Sequence, residues 1–145
     1  MSKIYRTVVR PVALYGAECW PATKEVEHHL SVMEMKMLRW MAGVTRLDRK
    51  TNAEIRKRFG VAPIPDKLRE SRPRWYGHVL RASDNTVCKI GLGLDIQGTR
   101  PRGRSKQRWL DTIHVDLKAE RIHPDHTRDR AVWRQRIGVA NPASK

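Results

Sequence analysis

The sequence predicts a mostly α-helical protein, a small bundle of about five to six helices carrying one basic irregular arm. Three observations predict it. Apolar residues recur at spacings of three and four in successive segments of the 145-residue chain. Capping residues sit where those runs begin and end, Thr23 and Gly43 being the clearest pair. Residues 98–108 instead collect Arg100, Arg102, Arg104, Lys106 and Arg108, with no acid until Asp111. That is the composition of an exposed arm.

The first segment spans residues 2–19, with Pro11 inside it as a kink or an internal break, and Trp20 and Pro21 close it. Lys3, Arg6 and Arg10 precede the first acid, Glu18, as in a transit peptide. Ile4, Val8, Val12 and Tyr15 nevertheless fall on one apolar face and predict an ordinary helix. The next helix takes Thr23 as its N-cap, sets Glu25 and Glu27 at the positive end of its dipole and runs to Ala42. Within it Val26, Leu30, Met33, Met37, Trp40 and Val44 form one stripe, the strongest amphipathic signal in the chain. We expect that stripe to pack inside the domain, with docking of a partner helix as the alternative.

A short helix over 52–59 ends at Gly60. Pro63 and Pro65 then separate it from a longer helical segment that reaches Ala82 and is bent at Pro73. Around Val87, Ile90 and Leu92 the glycines Gly91 and Gly93 leave helix and strand both open. A helix over 106–121 carries Trp109, Leu110, Ile113 and Leu117 on one side. A last helix begins near Pro124, a residue suited to a first turn, and ends around Ile137. The chain thus divides into 1–60, a connecting helical segment 61–97, the arm 98–108 and a carboxy-terminal helical pair 109–145.

Charge narrows the function classes. Thirty Lys and Arg against 15 Asp and Glu give a formal net charge of +15, which attracts polyanions and opposes self-association. RNA or DNA backbones are the expected partners, ahead of an anionic membrane surface. No apolar run approaches the roughly 20 residues of a spanning helix, so we expect a soluble chain with no membrane partner. Cys19 and Cys88 stand far apart without a Cys-x-x-Cys companion, which supports neither a disulfide framework nor a zinc knuckle. We read this as a reducing intracellular location, nucleus or cytoplasm.

Catalytic patterns are missing from the sequence. The acids are scattered, without the adjacent carboxylates that two-metal phosphoryl transfer uses. The pairs His28 with His29 and His123 with His126 lack further metal-ligating companions. The expectation is no catalytic residue, no metal, no cofactor and no small-molecule substrate. Trp40, Trp75 and Trp109 each follow an arginine; one tryptophan per helix predicts core anchors, with stacking on unpaired bases as the alternative. In the arm, residues 100–104 read Arg-Pro-Arg-Gly-Arg, close to a minor-groove hook in which Gly103 permits near approach of the backbone. Ser105 stands where such a hook carries proline, which favours phosphate contact over A·T preference, and a nuclear-import signal fits equally. The candidate contacts are Arg72, Arg74, Arg81, Arg100, Arg102, Gly103, Arg104, Lys106 and Arg108.

The order of motifs resembles the carboxy-terminal part of the reverse transcriptase of LINE-type, non-LTR retrotransposons, nearest the RTE clade, over nearly the whole chain. The residues that carry it are Tyr5, Arg6, Pro11, Tyr15, Gly16, Glu18 and Trp20, then Glu34, Met35, Leu38, Arg39, Trp40, Gly43 and Val44. Arg74, Trp75, Gly77, His78, Val79, Leu80 and Arg81 follow as an Arg-Trp-aromatic-Gly-His-Val block. The stretch from Arg100 to Trp109 is similar to the family's Arg-Pro-Arg-Gly-Arg-Pro-Lys-x-Arg-Trp block, with Ser105 as the departure. The resemblance implies that 1–60 is thumb-like and that the chain begins after the palm subdomain with its catalytic Tyr-x-Asp-Asp. It also implies that the amino-terminal endonuclease domain lies elsewhere and that no residue here inherits a catalytic role. The palm would be a partner, and the implied task is to hold template RNA and primer DNA. Two other readings stand beside it: an inert truncated remnant with apolar surface uncovered, and a domesticated helical protein-interaction module that uses the 26–44 stripe.

Overall fold

Local capping chemistry sets most of the helix boundaries in the computed structural model, which describes residues 2–94, 98, 102–103 and 107–138. The first helical stretch comprises α1 (Ser2–Ile4), a π-helical turn (Tyr5–Val9) and α2 (Arg10–Ala13). The widened turn lies just ahead of Pro11, and the Arg10 N–H reaches back to the Tyr5 carbonyl. A proline ring crowds the turn before it and offers no N–H, so the chain takes up the mismatch there. Gly16, at φ +68°, then reverses the chain into a 3₁₀ turn (Ala17–Cys19).

Helix α3 (Lys24–Ala42) starts at Thr23, whose hydroxyl accepts from the Val26 N–H, and stops at left-handed Gly43. Helix α4 (Asn52–Phe59) is enclosed by a reciprocal capping box between Thr51 and Glu54 and by left-handed Gly60. Helix α5 (Ile64–Arg81) has Pro65 in its first turn and Pro73 within it. Helix α6 (Val87–Gly93) resolves the segment left open between helix and strand. Helix α7 (Trp109–Ala119) begins three residues later than the expected 106, after the Arg108 N–H bonds to Asp111 Oδ2 at 3.0 Å. The expected last helix is broken in two, a 3₁₀ turn (Pro124–Arg128) and α8 (Arg130–Ile137). The carboxylate of Asp129 accepts from the N–H groups of Ala131 and Val132 and starts a new helix there. The fold is all-α, and no strand occurs among the described residues.

Helix α5 is the axis of the bundle, touching the Ala17–Cys19 turn, α3, α6, α7, α8 and the Pro124–Arg128 turn. On one side Tyr5, Met35, Leu38, Ile55 and Val61 form a core. On the other, Tyr76, Ile113, Leu117, Ile122, Trp133 and Ile137 form a second. Ala17, Ala22 and Leu68 make a smaller one. Gly77 lets the second core close, because a Cβ there would stand 2.8 Å from Cε2 of Trp133.

Two expected apolar faces are displaced. Ile4, Val8, Val12 and Tyr15 all face solvent, Tyr15 at 84% exposure, and the residues of that segment turned inward are Tyr5 and Ala17. In α3 the buried positions are Glu34, Met35 and Leu38; of the 26–44 stripe, Leu30, Met37 and Val44 are partly buried and pack against the cores, while Val26 and Trp40 are exposed. At about 100° per residue the buried face lies well to one side of that stripe. Glu34 explains the rotation. Its carboxylate accepts from the Tyr5 hydroxyl at 2.7 Å, Arg56 Nε at 3.0 Å and the Ile64 N–H at 3.3 Å, with Arg10 Nη2 at 3.6 Å. A buried carboxylate needs such partners, and this orientation of α3 brings all four within reach.

Candidate nucleic-acid interface

The expected contact residues that the structure describes divide into three groups. Arg72 is 1% exposed. Its Nε and Nη2 donate to Asp116 Oδ2 and Oδ1 at 2.7 and 3.0 Å, and Nη2 also reaches Glu27 Oε1 at 3.3 Å. That guanidinium ties α5 to α7 and α3 and presents nothing to a phosphate, so Arg72 leaves the contact set. Burial pushes the Asp116 carboxyl above the usual carboxylate range, and the neighbouring guanidinium opposes that rise.

Arg74 and Arg81 are exposed but engaged. Arg74 Nη2 donates to Glu70 one turn earlier in α5, and Arg81 Nη1 donates to the Thr127 carbonyl at 2.9 Å. Neither bond removes the charge, and the Arg74 side chain is 63% exposed although its partner Glu70 is buried. Arg102, Gly103 and Arg108 are exposed. Gly103 has φ +139°, a backbone conformation that a side chain would strain. Arg100, Arg104 and Lys106 lie outside the described residues.

The arm's exit into α7 is anchored. Trp109 Nε1 donates to the Glu18 carbonyl at 2.6 Å, and Gln107 Nε2 donates to Thr112 Oγ1 at 2.9 Å. Arg108 borders a hollow of about 430 Å³ walled by Trp75, Val79, Leu92 and Trp109. Cys19 and Cys88, which sequence separation kept apart, line the same hollow. Burial and the nearby Glu18 and Cys88 push the Cys19 thiol up. A larger cleft of about 790 Å³ runs between α3, α5 and α7, but Glu27, Asp66, Glu70, Asp116 and Glu120 outnumber its cations. It is not a polyanion site.

Some carboxylates are drawn inward, while Glu25, Asp48, Glu54, Asp84, Asp111, Glu120, Asp125 and Asp129 stay exposed. Glu34, Glu70 and Asp116 are buried, and each is matched by arginine or lysine inside the fold. Among the described residues no group of three His, Cys, Asp or Glu could hold a metal ion, and no helix is long and apolar enough to cross a membrane. Trp40, Trp75 and Trp109 are not the deep anchors expected from one tryptophan per helix. Trp40 is exposed, Trp75 and Trp109 are half-buried, and Trp133, which the arginine-tryptophan pattern omits, is the buried one. No family model, curated protein or solved structure matches the chain.

Proposed function

We propose that this chain is a non-catalytic nucleic-acid-binding piece of a LINE-type reverse transcriptase, holding RNA or DNA by its phosphate backbone. The grip runs through the arm residues Arg100, Arg102, Arg104, Lys106 and Arg108, with Arg74 and Arg81 of α5 alongside. The observation that carries this reading is the charge of +15 on a fold whose buried carboxylates are already matched from within. Against 30 Lys and Arg the chain has 15 acids, so an excess of cations remains even with every acid matched. The half-buried Trp75 and Trp109 at the arm's foot add an aromatic wall beside Arg108. The exposed stripe Ile4, Val8, Val12 and Tyr15 fits a face that packs on a palm subdomain.

Binding to labelled RNA, DNA and hybrid duplexes across a salt titration tests the reading. If about six phosphates are neutralised, log K against log salt falls with a slope of roughly −5 on B-form DNA. Arg102→Ala with Arg104→Ala flattens the slope by about two and leaves the helical signal unchanged. Affinity indifferent to salt, or to the double variant, would sink it.

A further inference from the structure

The last turn of α3 and the turn joining it to α4 carry the most exposed large apolar side chains of the described residues outside the amino-terminal stripe and α6. Trp40 is 80% exposed and Leu47 is 90% exposed. Trp40 follows Leu38, which is fully buried, by two positions. Two residues turn a helix through about 200°, so the orientation fixed by Glu34 and Leu38 drives Trp40 outward.

Cations outnumber acids in the sequence around it. Lys36 lies one turn earlier on the same face of α3; Arg46, Arg49 and Lys50 stand in the turn, and Lys57 and Arg58 at the end of α4. Among the described residues none of these makes an ion pair with a carboxylate. The two acids of the region are engaged with backbone. Asp48 Oδ2 accepts from the Thr45 N–H at 2.6 Å and its hydroxyl at 2.9 Å. Glu54 Oε2 accepts from the Thr51 N–H at 2.8 Å and its hydroxyl at 3.0 Å.

The turn is braced as well. Arg39 Nη2 donates to the Lys50 carbonyl at 2.8 Å and to Asn52 Oδ1 at 3.0 Å, and Arg58 Nη1 reaches the Ala42 carbonyl at 3.5 Å. Arg49 holds a left-handed backbone, φ +47°, within it. An exposed aromatic face beside a braced turn that carries cations suits a ligand with both flat apolar faces and closely spaced negative charges. A single strand of nucleic acid has both, whereas a duplex hides its base faces. An anionic lipid surface supplies charge but no flat face, and one tryptophan with one leucine gives little apolar depth to bury in it.

We propose that this turn is a single-strand binding site, with Trp40 stacking on an unpaired base and Lys36, Arg46, Arg49, Lys57 and Arg58 taking the flanking phosphates. This site uses none of the arm residues proposed above to grip the phosphate backbone, and the two stand or fall independently.

The test uses the full chain and fluorescein-labelled oligothymidine of about a dozen residues, beside a hairpin duplex of equal phosphate number. Trp40→Ala weakens oligothymidine binding about tenfold and leaves the hairpin unchanged, while Trp40→Phe retains most of the affinity. Oligothymidine quenches tryptophan emission in the wild type, and Trp40→Phe loses most of that quenching. Because Trp40 is exposed, both variants keep the wild-type circular dichroism. Equal loss on both ligands, or no loss on either, overturns the stacking site. So does an emission change with phosphatidylserine vesicles and none with oligothymidine. Arg102→Ala with Arg104→Ala, run in parallel, reads the arm alone, so failure of the arm leaves the Trp40 result intact.

Discussion

Tyr5 shows how one residue joins sequence to stability. It is 1% exposed, donates to Glu34 and has the Arg10 guanidinium 5.3 Å from its ring centre. Burial, with the hydrogen bond and charge of Glu34, pushes its hydroxyl up to about 12 from 10.0. The fold therefore favours the neutral phenol. The stability this contributes is complete below about pH 10 and is lost as pH rises towards about 12. Tyr5→Phe leaves Glu34 without its shortest donor and costs about 1–3 kcal/mol near neutral pH. Urea melts followed from neutral pH to about pH 12 show the gap between wild type and variant closing over the last two units. A gap that stays constant would mean that Tyr5 does not titrate with unfolding. Arg72 makes the same point for the site. Its sequence neighbours are basic, as at a phosphate contact, but its acid, Asp116, lies 44 positions away. Nothing local distinguishes a buried tie from a surface contact.

At the scale of elements, what was legible was the chemistry that acts within a few residues. Thr23, Gly43 and Gly60 cap where the sequence places them, because a cap involves its own turn and nothing beyond it. The faces of the helices were less legible. Periodicity shows that α3 has an apolar stripe, yet the buried Glu34 and its four partners come from other segments and turn a neighbouring face inward. The half-buried Trp75 and Trp109 and the exposed Trp40 follow from the same limit. Gly77 is a further case: it belongs to a recognisable block, but its reason, Trp133, comes from the last helix. In a solvent-exposed helix Gly→Ala gains about 1 kcal/mol in helix propensity. In α5 the new methyl meets the Trp133 indole, whose N–H bonds the Pro73 carbonyl at 3.2 Å. Overpacking costs about 1–3 kcal/mol, so Gly77→Ala should destabilise and lower the urea midpoint. A raised midpoint would mean that Trp133 packs elsewhere.

For the whole molecule the competing terms are charge and uncovered apolar surface. A charge of +15 keeps copies apart at low ionic strength. The screening length is about 10 Å at 0.1 M salt and about 3 Å at 1 M, whereas burial of apolar surface does not weaken with salt. The stripe Ile4, Val8, Val12 and Tyr15 should therefore drive self-association as salt is raised, the opposite trend to the phosphate binding proposed for the arm. Val8→Lys with Val12→Lys places charge in the middle of the stripe. Because both side chains are exposed, stability changes by no more than about 0.5 kcal/mol per site, and the helical signal stays. Light scattering on a sizing column, run from low to high salt, shows wild type growing in mass and the double variant remaining monomeric. Loss of helix or a large fall in melting temperature would instead mean that the stripe is covered within the fold. A wild type that stays monomeric at high salt would remove the uncovered face as support for a missing palm, leaving the arm and the Trp40 turn to be judged on their own binding data.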